Sequence, residues 1–451
     1  MNVSNIQAQH FMQCWGSQAN YKPVEVSHTM GCYIYTTDGR KIFDLRSAHE
    51  CINLGFNHPT VIEAMKRQMD SVIYVTDDFA TAPTAMLAQK LAQLAPGNPN
   101  KKVWFGQSGA AAIEAAIKAA RMYQYIRTFK EGKIADAPNQ YPYPYKVIAR
   151  YKSWHGSTSG AASVGGDPRR WFQEPFTVPG VVFAPEANAY RAPENDPLWS
   201  ADYLEYIIEQ EGGSNKVAAV LLEPVVGSNG IIPPPPGYMQ RVRDICDRWG
   251  LLLIADETMS GMGRTGKFFA IEHFDVVPDI IVMGKALGVY CPLSACIMSE
   301  EVSRVFDDNI FGHGQSFSGH ALGCAAALES IRVLQEDGVM ENCVAMGQYL
   351  GDALKQLGSQ YTQVGDVRGM GLFWTMELVH DRESKAPLRK TTEKYTKTVV
   401  SDIARYLLEE ENIYVPADKF GIWVVPPLIV NQEELDMLIG AIGRALAKFV
   451  K

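Results

Sequence analysis

Apolar residues along this chain fall into two patterns. Short unbroken runs, Val217–Leu222, Leu251–Ala255 and Ile280–Met283, are bounded by charged or turn-forming residues. That is the signature of strands buried on both faces. Other segments repeat at helical spacing. After His58-Pro59-Thr60 the apolar positions Val61, Ile62, Ala64, Met65 and Met69 mark one helix, and Thr84 can cap a second over AMLAQKLAQLA. Lys102–Phe105 reads as a strand, Gly106-Gln107 as a turn, and SGAAAIEAAIKAAR as a helix from Ser108, with Glu114 and Lys118 as an i,i+4 pair. Val147–Tyr151 and PLSACIMSE read as further strands, and YMQRVRDICDRW as a helix ended by Gly250. From about residue 102 strands thus alternate with helices and loops, which predicts an α/β fold with a doubly wound, mostly parallel sheet.

The two ends of the chain have a different texture. Residues 1–60 read as a short helix followed by strands, with a hairpin from Tyr33–Thr36 through Asp38-Gly39 to Lys41-Ile42-Phe43. Beyond about residue 340 come a helix over Val344–Leu357, VRGMGLFWTMELV as one strand, a charged segment from His380 to Lys397, a long helix, GIWVVPPLIV and a last helix. The expected division is a 1–60 segment and a 326–451 segment of a smaller α+β domain around a large 61–325 domain. Thr128–Tyr145, polar and rich in Pro and Tyr, reads as a surface excursion.

Composition narrows the class. The 451 residues are 47% hydrophobic and 20% charged, with a net charge of −8 and no basic run. This gives no electrostatic reason to expect nucleic acid. No apolar run approaches the ~18–20 residues of a membrane span, and MNVSNIQAQHF lacks the charged and apolar regions of a secretory signal. Eight cysteines, scattered without a CxxC pair, read as buried free thiols of a reducing compartment, so a cytoplasmic protein with no zinc site is expected.

The candidate chemistry sits at strand ends. The Leu251–Ala255 run ends on Asp256-Glu257, and Ile280–Met283 ends on Gly284-Lys285. In open α/β sheets ligands bind at the carboxyl ends of strands, and a lysine just past a buried strand is a candidate nucleophilic amine. On these two residues alone, an ion pair at the rim is the commoner arrangement. Ser108-Gly109, opening a helix directly after a strand, is either an anion site or an ordinary N-cap. Trp154, just past Val147–Tyr151, can stack on a flat ligand or simply pack, and His155 beside it reads as a hydrogen-bonded structural residue. Trp15 is a core or a pocket-wall aromatic. Gly261-x-Gly263-x-x-Gly266 matches GxGxxG, but no helix follows it, so a dinucleotide site is not expected there.

Taken together, SGAAAIEAAIKAAR, the aromatic-His-Gly at 154–156, EPVVGSNG, ADETMSGMGRTG, MGKALG, HGQSFSGH and VRGMGL resemble the class III (ω-) aminotransferases, fold-type I pyridoxal-phosphate enzymes. The resemblance runs over nearly the whole chain. It implies that Lys285 carries pyridoxal 5'-phosphate as a Schiff base and moves the substrate proton. Asp256 would keep the pyridine nitrogen protonated, making the ring an electron sink. Trp154 would stack on the ring, with His155 beside it, and Ser108, Gly109 and Ala110 would hold the phosphate. Ser316 would reach the phosphate of the neighbouring subunit, which implies a homodimer. Glu223 matches the family's EP motif in a structural role.

The chain also departs from the family pattern. Gln107-Ser108-Gly109-Ala110-Ala111 stands where Asn-Ser-Gly-Ser/Thr-Glu is common, so one hydroxyl contact is lost. Met259 replaces a polar residue near the ring hydroxyl, and Ser228 a glutamate of γ-aminobutyrate enzymes. Trp423 and Pro416 fall where substrate-binding arginines are expected, leaving Lys419 as the nearest cation for an acidic substrate. The stretch around Trp15 resembles a subgroup that includes taurine:2-oxo-acid aminotransferases. The expected reaction moves an amino group from a small terminal-amine donor, such as taurine or β-alanine, to 2-oxoglutarate or pyruvate. An epimerase, racemase or decarboxylase of the same fold is the alternative, and a nucleotide-binding oxidoreductase a more distant one.

Overall fold

The structure is a computed structural model and describes residues 3–130, 143–193, 195–388, 398–416 and 421–451. Its centre is a seven-stranded sheet of Lys102–Gly106 (β1), Lys146–Arg150 (β2), Val181–Ala184 (β3), Val217–Leu222 (β4), Leu252–Asp256 (β5), Ile280–Met283 (β6) and Ser294–Met298 (β7). The spatial order is β1-β7-β6-β5-β4-β2-β3. Only β7 runs against its neighbours, pairing antiparallel with both β1 and β6. Every residue of β4, β5, β6 and β7 is buried, as the unbroken apolar runs require. The helix Gly109–Lys130 (α1) lies across the sheet, with an alanine-rich face packed on Val147, Leu221, Ile254 and Val282.

The sheet settles what the strand ends can do. β5 and β6 are direct parallel neighbours, with Asp256 paired in register with Val282. Asp256 and Lys285 therefore leave the same edge of the sheet side by side. β3 carried no clear sequence signal: it is a short edge strand, half-buried along most of its length, and lacks the continuous burial that marks the central strands.

The hairpin Tyr33–Thr36 to Lys41–Asp44 forms as expected, with Tyr33 opposite Phe43. Val26–Met30 adds a strand on one side, and Ile413–Tyr414, from the far end of the chain, pairs parallel with Lys41–Asp44 on the other. The segment VRGMGLFWTMELV is not one strand. Val364–Met370 and Phe373–Leu378 pair antiparallel about Gly371, whose φ of +55° makes the turn, and Gly421–Val424 completes that sheet. Of the polar excursion at Thr128–Tyr145, Thr128–Lys130 finish α1 and residues 131–142 lie outside the described residues. All eight cysteines are free, five of them buried, but Cys14 is exposed, contrary to the expectation of uniform burial. Among the described residues no helix is long and apolar enough to cross a membrane, and no group of side chains could hold a metal ion.

Candidate active site

Three backbone approaches assemble the site. Gly284, the residue before Lys285, lies against the first turn of α1: a Cβ built on it would come within 3.1 Å of Gly109 Cα and 3.2 Å of Thr258 Cγ2. Gly109 in turn has no room beside Thr258, whose Cγ2 lies 2.8 Å from where its Cβ would be. Gly156, at φ +129°, sits so close to Ala110 that a Cβ would meet that residue's own at 2.5 Å. Small residues at 109, 156 and 284 thus let the helix N-terminus, the Trp154-His155-Gly156 loop and the Lys285 turn converge.

At the helix end, Ser108 Oγ accepts a hydrogen bond from Ala111 N (3.2 Å), so its hydroxyl serves as the N-cap. The N–H groups of Gly109 and Ala110 stay without partners inside the helix, as in any first turn, and point their partial positive charge outward. Beside them Thr258 Oγ1 is buried with no hydrogen-bond partner among the described residues. An orphaned hydroxyl next to free amides and a glycine cradle fits a bound phosphate.

At the other end of the site, His155 Nδ1 donates to Asp256 Oδ2 (2.7 Å) and Thr258 N donates to Asp256 Oδ1 (3.0 Å). Both side chains of the His155–Asp256 pair are essentially fully buried. Glu223 Oε1 accepts from Trp154 N (3.0 Å) and Oε2 from Gly227 N (2.8 Å), so it ties two loops together; burial raises its carboxyl above the usual range. Met259 is buried against the Gly227-Ser228 loop, with Ser228 Oγ 3.5 Å from its sulfur. Trp15 stands edge-on to Trp154 with ring centroids 5.5 Å apart, and the Arg169 guanidinium lies 3.6 Å over the Trp154 ring. Ser316 lies next to Gln107, whose side-chain amide donates to the Ser316 carbonyl.

Lys285 is held by a partner that no local pattern of residues announces. It has a φ of +47°, and its Nζ donates to Glu50 Oε2 at 3.0 Å. Glu50 is fully buried and comes from the amino-terminal segment. Burial pushes its carboxyl up, but Lys285 and Arg46 together outweigh that, so it is held below the usual range and stays ionised. Asp256 and Lys285 are not an ion pair: each has its own partner. Trp423 is buried under the Arg46 guanidinium, 5.4 Å from its ring. Lys419 lies outside the described residues. Arg46, Glu50, Thr258 and Arg169 were missed by sequence reasoning, since a glutamate inside SAHECINLG carries no local mark of its buried partner.

The GxGxxG stretch forms turns and no helix, as expected. Its Arg264 is wholly buried and donates to Leu372 O (3.0 Å), Pro426 O (2.6 Å) and Asn53 Oδ1 (2.5 Å), joining three distant segments. Glu257, next to Asp256, accepts from Ile271 N (2.7 Å) and Ser260 Oγ (2.6 Å), yet burial pushes its carboxyl up to about 7. Because the folded state holds this proton more tightly than the unfolded chain, stability is fully present below pH 4.5 and is lost as pH rises toward 7. Glu257→Gln removes that term. Its unfolding free energy is expected to gain about 3 kcal/mol on the wild type between pH 4 and pH 8. Urea unfolding across that range checks it, and parallel profiles for the two proteins would refute it.

Comparison with known proteins identifies the class. The family model for class-III aminotransferases matches residues 16–446. A probable aminotransferase of Mycobacterium tuberculosis is 35% identical, over 90% of this chain and 86% of its own. Taurine–pyruvate aminotransferase of Bilophila wadsworthia is 30% identical, over 94% and 92%. The solved taurine:2-oxoglutarate aminotransferase of Bifidobacterium kashiwanohense, in complex with pyridoxal phosphate and glutamate, superposes with a TM-score of 0.89 at 31% identity, covering 99% of this chain and 97% of that one. The chain belongs to the class-III aminotransferases. It is a transaminase of the fold-type I architecture, and its cofactor is pyridoxal 5'-phosphate.

Proposed function

We propose that this enzyme moves the amino group of a small terminal-amine donor, taurine, β-alanine or a similar ω-amino compound, to a 2-oxo acid such as pyruvate or 2-oxoglutarate. The observation that carries the reading of the site is the contact of Gly284 with Gly109, which brings a lysine, a helix N-terminus and a buried carboxylate to one sheet edge. The donor class is supported by the taurine enzymes among the relatives.

In this reading Lys285 would hold the cofactor, and its amine would carry the proton taken from the donor carbon. Gly109 and Ala110 bind the phosphate through backbone N–H groups, with Ser108 fixing the turn and Thr258 Oγ1 adding a donor. Asp256 keeps a proton on the ring nitrogen, and His155, donating to its other side, fixes the carboxylate's direction. The bound cofactor supplies an electron sink for the negative charge that develops at the donor carbon. Trp154 would pack on the ring face, Trp15 walls the mouth, and Met259 would offer the ring hydroxyl no side-chain donor of its own. Glu223 acts through the loops that it ties. Trp423, buried under Arg46, walls the pocket on the side of Glu50 and Lys285. In a homodimer Ser316 would reach the partner subunit's phosphate, while within its own chain its carbonyl accepts from the Gln107 side chain.

A donor panel tests the reading. The loaded enzyme is expected to stop at the amino form of its cofactor with taurine or β-alanine alone, and to return to the starting spectrum when pyruvate or 2-oxoglutarate is added. A return without any oxo acid marks an epimerase or racemase instead.

A further inference from the structure

An acidic acceptor needs a cation close to the reacting nitrogen, and position 423, where one is expected, is a tryptophan. The structure fills this place from another part of the chain. The guanidinium of Arg46 lies over the Trp423 ring. Its Nε is 3.4 Å from Glu50 Oε1, and the other oxygen of that carboxylate takes Lys285 Nζ at 3.0 Å. One carboxylate group therefore separates Arg46 from the lysine amine.

The segment that does this is strained. Ser47, Ala48, His49 and Glu50 have φ of +49°, +47°, +61° and +61°, four successive non-glycine residues in the left-handed region. Each such residue costs roughly 1 kcal/mol or more, and the turn survives because it is pinned on every side. Asp44 accepts from Arg46 N (3.0 Å) and Ala48 N (2.6 Å), Ser47 Oγ donates to Val425 O (2.7 Å), and Arg264 Nη2 reaches Ser47 Oγ (3.4 Å). What this turn presents to the site is the Arg46–Glu50 pair.

Arg46 still has binding capacity. Only its Nε faces Glu50; among the described residues Nη1 and Nη2 donate no hydrogen bond, and its side chain is 20% exposed. Those two nitrogens form the fork that matches a carboxylate. Arg169, a further arginine at the site, is committed: its Nε and Nη2 are 2.7 Å and 3.3 Å from the two oxygens of Asp167, and its face is taken by Trp154. In a 2-oxo acid the carboxylate is bonded directly to the carbonyl carbon, so its binding group must stand close to the reacting nitrogen, as Arg46 does.

We propose that Arg46 binds the carboxylate of the 2-oxo acid through Nη1 and Nη2, while Glu50 holds its Nε and sets its direction. This rests on the acceptor being a 2-oxo acid, as proposed above. Arg46 is then the residue that makes the enzyme prefer an oxo acid over a plain aldehyde.

The test compares pyruvate with butanal, an acceptor without a carboxylate, using the holoenzyme and one fixed amine donor. Arg46→Met is expected to raise KM for pyruvate and to lower the pyruvate-over-butanal preference in kcat/KM by about 100-fold, the scale of lost charged hydrogen bonds. Arg46→Lys, which keeps the charge and the pairing with Glu50 but not the fork, is expected to lower that preference by about tenfold. It carries the test if the methionine variant does not fold. A preference unchanged in the variant that folds, with pyruvate and butanal losing equally, overturns the assignment of Arg46 alone. A wild type that accepts butanal and no 2-oxo acid overturns the acceptor reading and this assignment with it.

Discussion

Lys285→Ala is expected to lower amino transfer by at least about 10⁴-fold and to remove the visible absorbance of the lysine-bound cofactor. The amine is asked to do two things, hold the cofactor aldehyde and shuttle a proton, and positioned acid–base catalysis alone contributes about 10²–10⁴-fold. Among the described residues, neither cation nor carboxylate beside it replaces it. A guanidinium is no base at neutral pH, and Glu50, an ionised carboxylate, is an oxygen base that cannot form the nitrogen link. The substitution also strips Glu50 of its 3.0 Å partner and leaves it with Arg46. Its carboxyl should therefore move up, which a shifted pH profile of cofactor binding would report. The measurement is single-turnover consumption of an amine by the loaded variant, read against added methylamine. A variant that turned over at the wild-type rate would refute the role given to Lys285.

Asp256→Asn should cost roughly 10²–10³-fold in kcat, with a smaller loss of cofactor affinity. The substitution is isosteric, so packing survives, but the negative charge at the ring nitrogen goes. A single preorganised electrostatic interaction in a buried site is worth about this much. There is a second consequence peculiar to this site. Asp256 accepts from both His155 Nδ1 and Thr258 N, and an asparagine has one oxygen for two donors. Either His155 changes tautomer, moving its proton to the buried Nε2, or one donor is left unpaired. His155→Gln in the wild-type background should lose less, and the double variant little more than Asp256→Asn alone, because the two residues act as a unit. Additive losses, or a kcat within threefold of the wild type, would count against Asp256 as the ring-nitrogen partner.

The strands that hold the site were legible because they are buried on both faces. Leu252–Asp256 and Ile280–Met283 are apolar without interruption, and each ends on the residue or pair that the chemistry needs. The edge strand Val181–Ala184 was not legible, since half-burial leaves no such run. The hairpin at Val364–Leu378 was read as one strand because both arms have strand-forming sequence, and only the backbone of Gly371 shows the reversal.

The sequence by itself determined the central strands of the sheet, their succession along the chain, and the positions of Ser108, Trp154, Asp256 and Lys285 beside them, because those depend on short-range patterns and on motif spacing. Only the tertiary structure decided which groups meet. Asp256 faces His155, 101 residues away, rather than Lys285, and Lys285 faces Glu50, 235 residues away. The missing cation at position 423 is answered by Arg46 from the opposite end of the chain. Pairings at such separation are set by how buried charges find partners in the packed molecule, and no local run of residues encodes them.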